Sequence, residues 1–370
     1  MKRLLCILSC MNTGGAETFL MKLYRKLDRT KYQMDFCVNV KEEGFYDKEI
    51  KELGGRVFYV PPKSSGVAEF KRELSELIKR EKYDYVLRIT SNAAGFMDLM
   101  VAKKAGAKIC SARSSNSSDG AGIKAKVVHY LGRMLYGKYL DVRFAPSDLA
   151  AEYTFGKGSV QSGKATLLHN AVDLGVYHYR EQEGKDLRGQ LGIENKVVIG
   201  HIGRFDRQKN HEFLLDIFGQ IKKAQENAVL LLVGGKGECS AAIDGKIEAL
   251  GIGDSVIKTG VRSDIPALLS AMDVFVMPSF YEGMPNTVIE AQATGLPCII
   301  SDTITKQANI TGLVEYLPLD ESADLWAEKA LAAAKTPRKD TKQDFINAKY
   351  DIESVTEEFV RLVFGEETKE

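Results

Sequence analysis

Four charged residues in the second half of the chain stand where they could hold a phosphate beside a set of hydroxyls. Arg204 and Lys209 share the loop Gly203-Arg204-Phe205-Asp206-Arg207-Gln208-Lys209-Asn210, while Glu282 opens the turn Glu282-Gly283-Met284-Pro285-Asn286 and Glu290 lies shortly beyond it. Two cations on one loop can reach one diphosphate, Arg as a planar fork and Lys as a point charge. A helix that opens behind a Gly/Pro turn adds backbone N–H groups aimed at one spot, and that spot favours an anion. Glu290 lies among Val288, Ile289, Ala291 and Ala293. A carboxylate buried there needs donors, which sugar hydroxyls would supply; stabilisation of a first-turn Glu by the helix dipole is the plainer account.

These residues need strands to carry them. Val197 to Ile202 and Val274 to Met277 read as buried parallel strands whose carboxyl ends feed the two loops, and Pro297 to Ser301 as a third. Asn286 is placed as the N-cap of a helix from Thr287 to Thr294. Between them, helix Phe213 to Lys223, strand Val229 to Val233, a helix ending at Leu250, strand Val256 to Thr259 and a helix ending at Met272 alternate.

The first half has the same rhythm. Strands are expected at Leu4 to Ser9, Met34 to Val40, Arg56 to Tyr59, Tyr85 to Ile89, Lys108 to Ala112, Val142 to Ala145 and Ala165 to Leu168. Helices fall between, among them Ala16 to Leu27 and Val67 to Lys82. Alternation of this kind predicts two doubly wound α/β domains with parallel sheets. The boundary is placed near residue 175, so that the domains run 1–175 and 176–350, with 351–370 as a closing helix. Helical patterns in Ala323 to Ala334 and Ile352 to Phe364 complete the chain.

Pro-Ser-x-x-Glu-Gly-x-Pro-x-x-x-x-Glu-Ala, from Pro278 to Ala291, resembles the donor-site signature of the retaining GT-B glycosyltransferases of family 4, the glycosyl transferases group 1. Length and layout are similar to those of bacterial exopolysaccharide and capsule enzymes. The resemblance implies two Rossmann-like domains facing each other across a cleft, acceptor side first and nucleotide-sugar side second, with residues 351 to 364 packing back on the first. It implies that Arg204, Lys209 and Glu282 carry the chemistry, the cations stabilising the leaving diphosphate and Glu282 holding the sugar ring. The donor site would further take Gly14, Gly15, Gly203, Gly283, Met284, Pro285, Asn286 and Thr287, with Glu290 on the ribose and Val261 and Arg262 bordering the base.

Members of the family retain anomeric configuration, with the leaving phosphate as base, and no protein nucleophile is evident here. No Asp-x-Asp occurs in the chain, so neither a metal nor another cofactor is expected; a nucleotide sugar, with UDP as the expected nucleotide, is substrate. The acceptor would be a saccharide, lipid-linked, in cell-surface polysaccharide synthesis. Where many members carry His-x-His-Asn, the loop starting at Arg113 offers Arg113, Ser115 and Asn116, which become the candidates for the acceptor or sugar side; ordinary loop-filling Ser and Asn is the alternative. Gly14-Gly15 lacks the Gly-x-Gly-x-x-Gly spacing and an acid after the second strand, which argues against NAD or FAD; a tight strand-to-helix turn is its plainer account.

Composition agrees with a two-domain enzyme: 370 residues, 44% hydrophobic and 27% charged. Six scattered cysteines read as buried thiols in a reducing compartment. Met1-Lys2-Arg3 before a short apolar run reads as a first strand and not a secretory signal, so a cytoplasmic protein is expected, peripheral at the inner membrane face. The net charge of +1 hides an asymmetry: residues 1–175 hold 29 Lys/Arg against 19 Asp/Glu, and the remainder is acidic. A basic half suits an acidic partner such as a membrane or a lipid pyrophosphate; ordinary solvation explains it equally. Nucleic acid is not expected, because no recognition motif accompanies the charge.

Residues 123 to 140 place Ile123, Val127, Tyr130, Leu131, Met134 and Leu135 among Lys124, Lys126, Arg133 and Lys138. The preferred reading is a helix packing its apolar face on the core with its basic face in water; a peripheral membrane contact is the alternative. Two other functions fit the fold: a non-hydrolysing nucleotide-sugar epimerase, against which the Glu-Gly-x-Pro stretch argues, and a non-catalytic sugar-nucleotide or polyanion binder.

Overall fold

The computed structural model describes residues 1–12, 14–115, 123–282 and 284–366, without the side chains of 123 and 124. They form two compact bodies, one of residues 1–171 with 350–370 and one of residues 172–349.

In the first body, β1 (Lys2–Ile7), α1 (Gly15–Lys26), β2 (Tyr32–Val38), α2 (Asp47–Glu52), β3 (Val57–Tyr59), α3 (Val67–Glu81), β4 (Tyr85–Thr90), α4 (Phe96–Ala105), β5 (Ile109–Ser114), α5 (Ile123–Tyr136), β6 (Val142–Ala145), α6 (Asp148–Phe155) and β7 (Thr166–Leu167) follow in turn. The strands make one parallel sheet in the order β3-β2-β1-β4-β5-β6-β7. Alternate residues feed two apolar layers: Leu4 and Cys6 enter one, Leu5 and Ile7 the other.

The chain's last helix, Ile352–Phe364, belongs to this body. Phe359 meets Phe19 and Phe144 edge to face, and Phe364 lies 4.7 Å from Tyr32 and 5.1 Å from Tyr85 between ring centroids. The Lys2 ammonium pairs with Glu366 at 2.6 Å. Midway along β2, the buried Asp35 carboxylate accepts from Arg3, Arg56 and Tyr83. Burial alone would raise its pKa; those three donors outweigh it and hold it below the ordinary value.

In the second body, α7 (Glu181–Leu191), β8 (Val197–Ile202), α8 (His211–Ala224), β9 (Ala228–Val233), α9 (Ser240–Ala249), β10 (Val256–Gly260), α10 (Ile265–Ala271), β11 (Val274–Met277), α11 (Asn286–Ala293), β12 (Cys298–Ser301), β13 (Val314–Leu317), α12 (Ala323–Ala333) and α13 (Lys342–Asn347) build a parallel sheet ordered β10-β9-β8-β11-β12-β13. Val229, Leu231 and Val233 point into one layer and Ala228, Leu230 and Leu232 into the other.

Most elements lie within a few residues of their expected positions. Three were not anticipated: α7, α13 and the edge strand β13. Asn286 is the first helical residue of α11 and Pro285 its N-cap, with no side-chain capping bond. Proline fits that place because the backbone N–H it lacks would have no intrahelical partner at a helix start.

Candidate donor site

The sheet order of the second body reverses between β8 and β11: β9 and β10 lie on one side, β12 and β13 on the other. Open α/β sheets bind ligands at such a switch point, outside the carboxyl ends of the strands. The loops leaving β8 and β11 carry Arg204, Lys209 and Glu282.

Those loops are tied together. The Lys209 ammonium lies 2.8 Å from the Glu282 carboxylate, both side chains largely buried. Backbone N–H of Phe280 donates to the carbonyl of Gln208, and the Gln208 amide donates to the carbonyl of Tyr281, each at 2.9 Å. Sequence reading passed over Gln208, whose only signal is its place between two cations.

Gly203 explains how Lys209 reaches inward. A Cβ there would sit 3.0 Å from Lys209 Cε and 3.2 Å from His201 Nε2, so the lysine stem lies over the glycine. Gly234, after β9, comes close to the same turn: a Cβ on it would fall 1.9 Å from the Gly203 carbonyl oxygen. Backbone bonds from Phe205 N–H to Gly235 and from Gly234 N–H to Gly260 join the loops after β8, β9 and β10.

Behind this surface His201 is fully buried and donates through Nδ1 to the Val276 carbonyl at 2.8 Å. Its ring meets that of His211 edge to face at 4.8 Å. Burial holds both imidazoles neutral, His201 well below the ordinary histidine value and His211 down to about 4. The sequence offered no metal spacing for either, and their part in backing the loop was not foreseen.

Glu290 lies half-buried on α11, and the Tyr177 hydroxyl hydrogen-bonds to it. Burial first, then the Glu290 charge and this bond, drive the Tyr177 pKa up, so the phenol stays a donor. The donor that the buried acid requires is thus supplied in part by the protein. Arg204 is 80% exposed in its side chain and approaches Asp206 at 3.3 Å, which leaves the guanidinium at the surface of the loop. Val261 is exposed, and Arg262 makes a two-pronged pair with Asp264 at 2.7 and 2.5 Å. Met284 and Pro285 precede α11 and Thr287 is its second residue; the N–H groups of Val288 and Ile289 already donate to the Pro285 carbonyl, at 3.0 and 3.2 Å. Gly283 lies outside the described residues.

Two cavities border these elements. One of about 520 Å³ is lined by Asp206, Arg207, Gln208, Glu238, Phe280 and Tyr281, beside the Lys209–Glu282 pair. The other, about 530 Å³, lies past Tyr177 near Arg338. Arg338 is no anion receptor there, since it donates to the carbonyls of Thr294, Leu269 and Met272.

Gly14 and Gly15 belong to the first body, where Gly14 caps α1 in an extended conformation and Gly15 opens the helix. They come after β1, at that sheet's own reversal between β1 and β4. Arg113 requires a correction. It was expected in a polar loop facing a sugar, but β5 continues to Ser114 and Arg113 is 2% exposed within it. Its guanidinium lies 3.8 Å from the Phe19 ring centroid and donates to the Asn170 side chain at 2.6 Å. An arginine so enclosed holds the interior together. Ser115 is exposed after the strand, and Asn116 lies outside the described residues.

Two parallel-sheet α/β bodies, the second carrying this site at its switch point, have the layout of a sugar-transferring enzyme of the GT-B fold. Residues 196–335 match the family model described as glycosyl transferases group 1, and residues 13–176 that described as glycosyltransferase family 4. EpsF of Bacillus subtilis (strain 168), to which glycosyltransferase activity is ascribed, is 35% identical over 95% of this chain and 93% of its own. The chain therefore belongs to this glycosyltransferase family. The UDP-Gal:alpha-D-GlcNAc-diphosphoundecaprenol alpha-1,3-galactosyltransferase of Escherichia coli is 28% identical over 73% of this chain and 72% of its own. Among solved structures, Anabaena HepE in complex with UDP and glucose superposes with a TM-score of 0.79 at 17% identity, covering 99% of this chain and 100% of that one.

Proposed function

We propose that this glycosyltransferase moves a sugar from a UDP-sugar to a lipid-linked saccharide in cell-surface polysaccharide synthesis, with retention of anomeric configuration. The Lys209–Glu282 pair carries the reading. It sets a cation and a hydroxyl acceptor side by side at the switch point, next to the first turn of α11.

As the glycosidic bond breaks, negative charge grows on the leaving diphosphate. Lys209, Arg204 and the N–H groups opening α11 are the groups to stabilise it. Glu282 accepts from hydroxyls of the sugar, and Glu290, held by Tyr177, accepts from the ribose. These cations would do the work of a metal, so the reading requires none. The name of the Escherichia coli relative supports both the uridine nucleotide and the diphosphate-linked lipid acceptor.

Thermal unfolding against UDP, GDP, ADP, NAD and their sugar derivatives tests the donor. A ligand at about 100 times its dissociation constant adds about 2.7 kcal/mol. Stabilisation by UDP and a UDP-sugar alone, lost in Glu290→Ala, supports the reading. Stabilisation by GDP or ADP instead would sink it. Anomeric analysis of the product by NMR, with an undecaprenyl diphosphate-linked sugar as acceptor, tests retention.

A further inference from the structure

Helix α5 is turned inside out relative to the reading preferred from sequence. Val127, Val128, Tyr130, Leu131, Met134 and Leu135 are 41% to 59% exposed, whereas His129 and Gly132 are buried. At about 100° per residue the six exposed side chains form one continuous apolar arc opposite the buried seam. Among the described residues, no other helix carries more than one exposed large apolar side chain.

The orientation is fixed from beneath. The His129 ring accepts from Ala93 N–H at 3.2 Å, lies 3.0 Å from the Tyr153 carbonyl oxygen and meets the Tyr153 ring at a tilt of 30°, 4.5 Å between centroids. A Cβ on Gly132 would fall 2.5 Å from the Ala93 carbonyl oxygen, so the helix sits as close to its neighbour as backbone allows. Rotating the apolar arc inward would replace this seam with side chains that do not fit.

Charge chooses the occupant. Residues 120–140 contain Lys124, Lys126, Arg133 and Lys138 and no Asp or Glu. A second copy docked on this face would bring like charges together, whereas an anionic lipid surface attracts the cations and accepts the apolar arc. We propose that α5 is a membrane-docking face that lies in the interface of an anionic bilayer. The proposal is independent of the donor site, since these side chains belong to the first body.

Sedimentation of the full-length protein with vesicles of phosphatidylcholine, with and without phosphatidylglycerol, provides the test. The wild type is expected to pellet with the anionic vesicles, and less so as salt is raised. Val127→Ser/Leu131→Ser/Met134→Ser should lower the partition coefficient about a hundredfold or more. Lys126→Gln/Lys138→Gln should lower it about fivefold per charge removed. Both variants should keep the wild-type melting temperature, because they change exposed positions. A wild type that ignores anionic vesicles, or a triple variant that still binds them, overturns the proposal. So does a concentration-dependent dimer that the triple variant loses while the wild type shows no vesicle binding, which would assign the face to a second copy.

Discussion

Lys209 Nζ and Glu282 Oε1 stand 2.8 Å apart, joining the loops that leave β8 and β11. The two residues expected to meet different parts of a sugar nucleotide hold each other. Each holds its partner in place until a phosphate and a hydroxyl approach, so the site is preorganised. Lys209→Met should cost about a hundredfold or more in kcat. Glu282→Gln keeps the shape and should cost less in stability than Lys209→Met, which strands a largely buried carboxylate. Steady-state rates and melting temperatures of the two variants decide this; equal, small rate losses would remove the pair from the chemistry.

The Tyr177–Glu290 bond makes a narrower claim. Tyr177→Phe removes one donor to Glu290 while leaving the ring. If Glu290 meets the ribose as proposed, UDP binding should weaken about tenfold by titration calorimetry, since one hydrogen bond to a charged group is worth about 1.5 kcal/mol or more. Unchanged affinity would show that Glu290 is held equally well by its other neighbours.

Much of this was legible in the sequence because local pattern decides it. The strands β6, β8 and β11 and the last helix fall at the expected residues, since apolar runs bounded by turn residues leave few alternatives. The loops after β8 and β11 were singled out by residue type, by their place after buried strands and, for the second, by its resemblance to the family signature. Features that depend on partners far along the chain stayed hidden. Tyr177 and Glu290, or His201 and His211 against their loop, meet only through the fold. Arg113 was misplaced because its type suggests a surface, while Phe19 and Asn170 make an interior for it. For α5 the pattern was read correctly as amphipathic, but periodicity cannot say which face turns inward; Gly132 and His129 decide that.

His201 and His211 make stability depend on pH in a stated direction. Both are lowered in the folded protein, so the unfolded chain binds more protons below the ordinary histidine pKa of about 6.5. Their contribution is complete above that pH and is lost as pH falls toward 4, at about 1.4 kcal/mol per pH unit for each histidine that titrates. Urea unfolding at pH 7, 6 and 5 should show this decline, and His211→Gln should flatten it. A flat profile in the wild type would mean that the imidazoles gain protons in the folded state.

Gly234 should be the least replaceable glycine of the site. A methyl group there meets the Gly203 backbone carbonyl, which cannot swing aside as a side chain could. Gly234→Ala should therefore cost about 3 kcal/mol and displace the loop that carries Lys209. Gly203→Ala meets only the flexible Lys209 stem and the edge of His201, so it should cost less stability while still lowering kcat through the moved lysine. Urea midpoints and rates for the pair separate the two effects: if Gly203→Ala were the more destabilising, the lysine stem would be held more rigidly than its single ion pair explains.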